Sequence, residues 1–372
     1  MSEQFNNKDY DEYFSALEKS IQKDHNATKK EPAKHELPRE RGRVFRLRPW
    51  VVAVAAVLTV AIIIAVIPKG KKPDEDKEIT SSSASEIVDN ALSDVSETVE
   101  PEPQNLFAEF DQNTAEIDAE VVSGNIIVIN CDTNKVVAAR NAQARCYPAS
   151  TTKIMTILTA VEHIKDYNKT FTFSYEITDP LYIAEATMAG YAAGEAVNMT
   201  DLLYGAILPS GADATVGLAL SIAGSEENFV KLMNEKAQQL GLKNTHFTNT
   251  SGLFDENHYT TPEDMAVIIR EAAKNDLCRE VLSTYQYTTA ATPEHPDGIP
   301  LTSTLFSYMY GTEPDGSDIL GGKTGFVNES GYCIASFGKS DAGTQYVCVT
   351  LKGKGLWPTV YDQIKLYTTY AK

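Results

Sequence analysis

The chain has 372 residues, 42 % apolar content and a formal charge of −18. That is enough apolar material for one or two sizeable cores, and so acidic a balance excludes a general nucleic-acid binder. Five cysteines are too few, and odd in number, for a disulfide scaffold, and no Cys-x-x-Cys or His-x-x-x-His spacing points to a metal site.

Residues 1–49 are polar, with weak helical periodicity at Tyr13, Phe14, Leu17 and Ile21. They read as a mostly disordered tail with a transient helix. Basic residues gather toward its end: Lys29, Lys30, Lys34, Arg39, Arg41, Arg43, Arg46 and Arg48. Residues 50–67 then run uncharged, without Gly or Pro. As a helix this run spans about 27 Å, close to the thickness of a bilayer core. It has no polar face, unlike a buried core helix, and it starts too far into the chain for a signal peptide. One transmembrane helix is expected, with Trp50 at the interface. The larger basic cluster precedes it, and only Lys69, Lys71 and Lys72 follow closely. The positive-inside rule therefore puts the N-terminus in the cytoplasm and the remainder outside the cell.

Residues 68–115 are acidic and poor in bulky apolar side chains, with Ser81-Ser82-Ser83 and Pro101-Glu102-Pro103. They read as a self-repelling spacer, with Leu106, Phe107 and Phe110 as its first contacts with a folded domain. That domain is expected over 116–372. Two β-type runs, 125–130 and 135–139, flank Asp132-Thr133-Asn134, a hairpin signal. Residues 150–280 read as mainly helical, with helices over 201–208, 213–222, 226–240 and 264–274; Thr261-Pro262-Glu263 is a clear helix start. Strands return after Leu320: 331–337 and 345–351 form a second hairpin, and 357–370 suits a closing helix. Strands at both ends with helices between them predict an α+β fold. Its sheet is mainly antiparallel, flanked by helices, with an all-helical subdomain inserted.

The stretch Pro148-Ala149-Ser150-Thr151-Thr152-Lys153 opens an apolar helical run. A helix starting near Ser150 puts Lys153 one turn on, on the same face. A serine hydroxyl needs a base to become a nucleophile, and a neutral lysine three residues away is one candidate. The spacing alone is weak, since Ser20/Lys23 and Ser336/Lys339 share it. Context promotes Ser150: Leu208-Pro209-Ser210-Gly211-Ala212-Asp213 and Gly321-Gly322-Lys323-Thr324-Gly325 follow in the order of the S-x-x-K, S-D-N and K-T-G trio.

With these motifs, and with Ser251-Gly252-Leu253, His258-Tyr259-Thr260-Thr261 and Gly331-Tyr332-Cys333, residues 116–372 resemble the serine D-alanyl-D-alanine carboxypeptidases. These are low-molecular-weight penicillin-binding proteins of the peptidase S11 type. The resemblance implies a β-lactamase/DD-peptidase-like fold with the active site between sheet and helices. It implies Ser150 as nucleophile, Lys153 as base and Ser210 as proton relay. Lys323 and Thr324, within the substrate-binding segment Lys323, Thr324, Gly325 and Phe326, would bind the terminal carboxylate. The backbone N–H groups of Ser150 and Phe326 would form the oxyanion hole, and the charge on Lys323 would lower the pKa of Lys153. The implied partners are peptidoglycan stem peptides, with β-lactam antibiotics as inhibitors, and no metal or organic cofactor is called for. One departure stands out: Ala212 occupies the usual asparagine position of Ser-x-Asn, at what reads as the rim of a cleft.

His258 reads as a structural hydrogen-bonding residue, because the Ser/Lys pair already supplies a base. Cys333 and Cys348 lie about equally far from the second hairpin's centre, which leaves a disulfide and two buried thiols both open. Two rival functions share the fold. A β-lactamase needs a further base, and no Glu-x-x-Leu-Asn lies between the second and third motifs. A non-catalytic penicillin-binding sensor fits the basic tail and Ala212.

Overall fold

The computed structural model describes residues 106–372. The tail 1–49, the apolar run 50–67 and the spacer up to residue 105 lie outside the described residues. Among the described residues no helix is long and apolar enough to cross a membrane.

The main sheet is built from both ends of the domain. Strands β1 (Ala115–Glu116), β2 (Asn125–Asn130) and β3 (Lys135–Arg140) come first. Strands β8 (Ser317–Val327), β9 (Gly331–Ser340) and β10 (Gln345–Gly353) come last. The order is β1-β3-β2-β10-β9-β8. Only the short β1 pairs in parallel, with β3; the other neighbours are antiparallel. Side chains alternate between faces along each strand. Ile127 and Ile129 therefore enter the large core under the helices, while Ile126 and Val128 face a second cluster with Leu366 and Tyr367. This is why β2 reads as a continuous apolar run: both of its faces are covered.

Between the two sets of strands lies the helical part: α1 (Thr152–His163), α2 (Tyr175–Ile183), α3 (Met199–Ile207), α4 (Ala212–Ala223), α5 (Glu226–Gln239), α6 (Pro262–Lys274), α7 (Asp276–Ser283) and α8 (Thr304–Met309). Two small strand pairs lie among them: β4 (Thr170–Thr172) with β5 (Ala196–Asn198), and β6 (Gln286–Thr288) with β7 (Pro300–Thr302). Helix α9 (Leu356–Tyr370) covers the far face of the sheet. Local signals set several helix starts. The side chains of Asn198, Ser225, Thr261 and Asn275 each accept an N–H of the first turn, satisfying donors that would otherwise be orphaned. Helix α2 was not expected, since Pro180 lies inside it.

Two boundaries move. Composition put residues 106–115 in the spacer, but Ala108 is buried in the core and Leu106 and Phe107 pack against it. Glu109 bridges to Lys135. The folded domain therefore takes in these residues, with Leu106 and Phe107 among its first contacts, as expected. Helix α3 begins at Met199, capped by Asn198, two residues before the expected start.

Candidate active site

Ser150 sits in a single 3₁₀ turn, Ala149–Thr151, that leads directly into α1. Ala149 has φ 47°, a left-handed conformation that a non-glycine residue holds only under constraint. The constraint is visible: Thr151 N–H and Oγ1 both bond the Pro148 carbonyl, at 3.3 and 2.7 Å. Neither the turn nor α1 has a side-chain cap. The Ser150 hydroxyl is thus not spent on capping, which is what a serine at a helix start ordinarily does.

Lys153 Nζ lies 3.0 Å from Ser150 Oγ and donates to the Ser251 carbonyl at 2.6 Å. The loop carrying Ser251 is shaped by Asn249, whose side-chain oxygen accepts from the N–H groups of Ser251 (3.2 Å) and Gly252 (2.7 Å). Burial lowers the Lys153 pKa to about 7, against an opposing pull from the Asp213 carboxylate. A buried ammonium loses hydration, so the neutral amine gains ground. Near neutral pH the nitrogen can therefore hold or release a proton beside the serine.

Strand β8 forms the opposite wall. A Cβ added to Gly325 would lie 2.7 Å from Ser150 N and 3.0 Å from Thr151 N. The strand and the nucleophile turn approach this closely only over a glycine. Lys323 is buried, and its Nζ donates to the Thr324 carbonyl at 2.8 Å. Its pKa is pushed well below the ordinary lysine value, first by burial and then by the Lys153 charge. Thr324 Oγ1 pairs with Thr304 Oγ1 at 2.7 Å, and Phe326 stacks on Tyr332 with ring centroids 4.4 Å apart.

Two cavities meet at the serine. One, of about 220 Å³, is lined by Ser150, Ser210, Thr324, Gly325 and Phe326 among others. The other, of about 510 Å³, holds Ser150, Lys153, Ala212 and Phe326 in its wall. A larger cavity of about 710 Å³ lies elsewhere, beside Leu106, Arg270 and Tyr346. Volume does not make it the reactive centre; the paired serine and lysine do. Ser210 has φ 72°, a turn that sets it just ahead of α4.

A family model described as peptidase S11, D-alanyl-D-alanine carboxypeptidase, matches residues 111–355. The chain belongs to this family. It is 35 % identical over 242 residues to the D-alanyl-D-alanine carboxypeptidase DacF of Bacillus subtilis, across 63 % of this chain and 58 % of the relative. It is 30 % identical over 214 residues to the D-alanyl-D-alanine carboxypeptidase of a Streptomyces species, across 55 % of this chain and 72 % of that protein. The chain thus spans little more than half of the Bacillus relative's length. The crystal structure of the Streptomyces K15 DD-transpeptidase superposes with a TM-score of 0.61 at 26 % identity, covering 69 % of this chain and 99 % of that one.

Within this peptidase S11 chain the structure brings Ser150, Ser210, Thr324, Gly325 and Phe326 around one cavity. Lys153 lies against the serine. Several expectations change. Burial, rather than the Lys323 charge, is the main cause of the low Lys153 pKa, and repulsion between the two lysines adds to the burial that lowers Lys323. Ala212 is no rim residue: it is 1 % exposed and forms part of the cavity wall. Cys333 and Cys348 do not face each other. Cys348 pairs in register with Ser336, the two thiols belong to opposite faces of the sheet, and both are free. The second hairpin is irregular, and strand parity fixes the faces in a way that distance from its turn does not.

His258 is structural, as expected. Its Nδ1 accepts from Thr248 N–H at 3.1 Å, which leaves Nε2–H to donate to Thr152 Oγ1 at 2.8 Å. Burial lowers its pKa to about 4, so it stays neutral. The competing Ser336/Lys339 pair is dismantled: Ser336 Oγ donates to Gln363 Oε1 at 2.8 Å, and Lys339 pairs with Asp318. Sequence reasoning missed Asn249, Thr304 and the anchoring of residues 187–191 by Asp213. Thr304 and Asp213 carry no local signal, because each acts on a segment distant in the chain; Asn249 bonds the N–H groups two and three residues on, a turn pattern typical of asparagine.

Proposed function

We propose that this chain is a serine D-Ala-D-Ala carboxypeptidase that removes the terminal D-alanine from peptidoglycan stem peptides through an acyl-enzyme. The observation that carries this reading is the buried Lys153 nitrogen, 3.0 Å from Ser150 Oγ, with a pKa of about 7. Neutral Lys153 takes the serine proton as Oγ attacks the carbonyl of the penultimate D-alanine. The N–H groups of Ser150 and Phe326 stabilise the oxyanion. Ser210 returns the proton to the departing D-alanine, and water then releases the acyl group. Lys323 and Thr324 bind the free carboxylate, because an enzyme that recognises a C-terminus needs a cation there. β-Lactams enter the same cavity and acylate Ser150.

The full chain, incubated with an acyl-D-Ala-D-Ala peptide, should release D-alanine, and Ser150→Ala should abolish both this release and covalent labelling by a fluorescent penicillin. Labelling that survives in the mutant places the nucleophile elsewhere. The apolar run 50–67 and the basic cluster before it support a single-pass anchor with the catalytic domain outside the cell. Protease added to wall-stripped cells should then release a penicillin-binding fragment. A spacer protected until the membrane is opened means the opposite orientation.

A further inference from the structure

Ala212 stands at the asparagine position of the S-D-N motif, and a methyl group neither donates nor accepts a hydrogen bond. The segment 187–191 is clamped against it. Ala212 N–H donates to the Thr187 carbonyl at 2.7 Å. The next residue, Asp213, is fully buried. Its carboxylate accepts the N–H groups of Ala189 at 2.7 Å, Gly190 at 3.0 Å and Tyr191 at 3.4 Å. A Cβ on Gly211 would lie 2.7 Å from Ala189 N and 2.8 Å from Ala189 Cβ. The two segments therefore touch over a glycine and hold each other in place.

This clamp delivers one polar side chain to the reactive centre. Thr187 is exposed and lines both cavities that meet at the serine. It thereby flanks Ser210 and Thr324 on one side, and Lys153 and Ala212 on the other. Its backbone is fixed at the Ala212 amide, beside the missing side chain. Its hydroxyl both donates and accepts, and its β-branch restricts χ1, so little order is lost on binding.

We propose that Thr187 is a substrate-binding residue that supplies, from the neighbouring loop, the hydrogen-bonding group missing at Ala212. It contacts the backbone of the bound peptide beside the scissile bond. The assignment rests on the carboxypeptidase reading above.

The test is a mutant cycle on the full chain, read as D-alanine release from an acyl-D-Ala-D-Ala peptide. Thr187→Val keeps the shape and removes the hydroxyl. It should lower kcat/KM about tenfold, the worth of one good hydrogen bond in the transition state, with an unchanged thermal midpoint. Thr187→Ser should recover most of that loss. In an Ala212→Asn background the amide takes over the contact, so Thr187→Val should then cost less than about threefold, a coupling expected only of groups that share one task. Thr187→Ala serves as the truncating variant if valine disturbs the fold. Wild-type rates in folded Thr187→Val, or an equal loss in both backgrounds, overturn the assignment. A wild type that releases no D-alanine overturns the carboxypeptidase reading itself, whereas an active enzyme indifferent to Thr187→Val overturns only the role of Thr187.

Discussion

The nucleophile turn and strand β8 each bury a lysine, in different company. Lys153 meets two oxygen atoms, Ser150 Oγ and the Ser251 carbonyl, and the Asp213 charge supports its proton. Lys323 donates to the Thr324 carbonyl, and the Lys153 charge works against its proton. Both are desolvated and both hold a proton less firmly than a free lysine: the first is brought to about 7, and the second is pushed well below its ordinary value. Burial makes either lysine a reluctant cation, and the neighbouring charges act in opposite directions on the two. The first suits a base. The second suits a receptor that becomes a stable cation when a carboxylate arrives to share its site.

Removing Lys153 should have the largest effect, because it takes away the base proposed for the serine, 3.0 Å from its hydroxyl. Lys153→Ala should slow acylation by about 10²–10⁴-fold, the span of general-base effects, in a domain that remains folded; normal acylation kinetics rule the lysine out. The wild-type rate should also carry its pH signature. The lowered pKa makes the neutral, proton-accepting form dominant above about 7, so penicillin labelling should rise as pH rises through that value and fall below it. A rate that climbs only near the ordinary lysine pKa dissolves the contrast between the two lysines.

Closing the gap between the regions comes next. Gly325→Ala places a methyl group against Ser150 N, so the turn must shift and its N–H must move off the oxyanion position. A loss of about 10²–10³-fold in acylation is expected, comparable to the loss of one oxyanion donor. Stopped-flow labelling at wild-type speed indicates that the strand can retreat without harm.

Lys323→Ala should cost about 2–4 kcal/mol in kcat/KM, as for loss of one partner in a desolvated charge pair. It should also erase the preference for a free over an amidated C-terminus. A mutant that still discriminates the two peptides moves the carboxylate reader elsewhere and leaves Lys323 structural.

The smallest effect is a gain. Ala212 lines the cavity with Ser150 and Lys153, and in a Thr187→Val background Ala212→Asn should raise turnover by up to about tenfold, equivalent to one hydrogen bond near 1.4 kcal/mol, with a smaller gain when Thr187 is present. A folded mutant with lower activity shows that the methyl group makes room for another part of the substrate.

The sequence by itself determined what depends on short range. Ser150 and Lys153 are one turn apart, so their spacing places them near each other on the turn that leads into α1. The helix start at Thr261 and the two hairpins were legible for the same reason. The three motifs and their order pointed to the segments that the structure brings around one cavity. Tertiary structure decided everything that required distant segments to meet. Composition could not show that Ala108 is core, nor could distance from a hairpin turn show that Cys333 and Cys348 lie on opposite faces. The Ser251 carbonyl meets Lys153, Thr304 meets Thr324, and Asp213 anchors the loop bearing Thr187, all between segments far apart in the chain. Above all, the chemistry of the two lysines is set by burial and by the charges around them. A pKa depends on the dielectric and the charges within a few ångströms in space, and only the folded chain determines which groups those are.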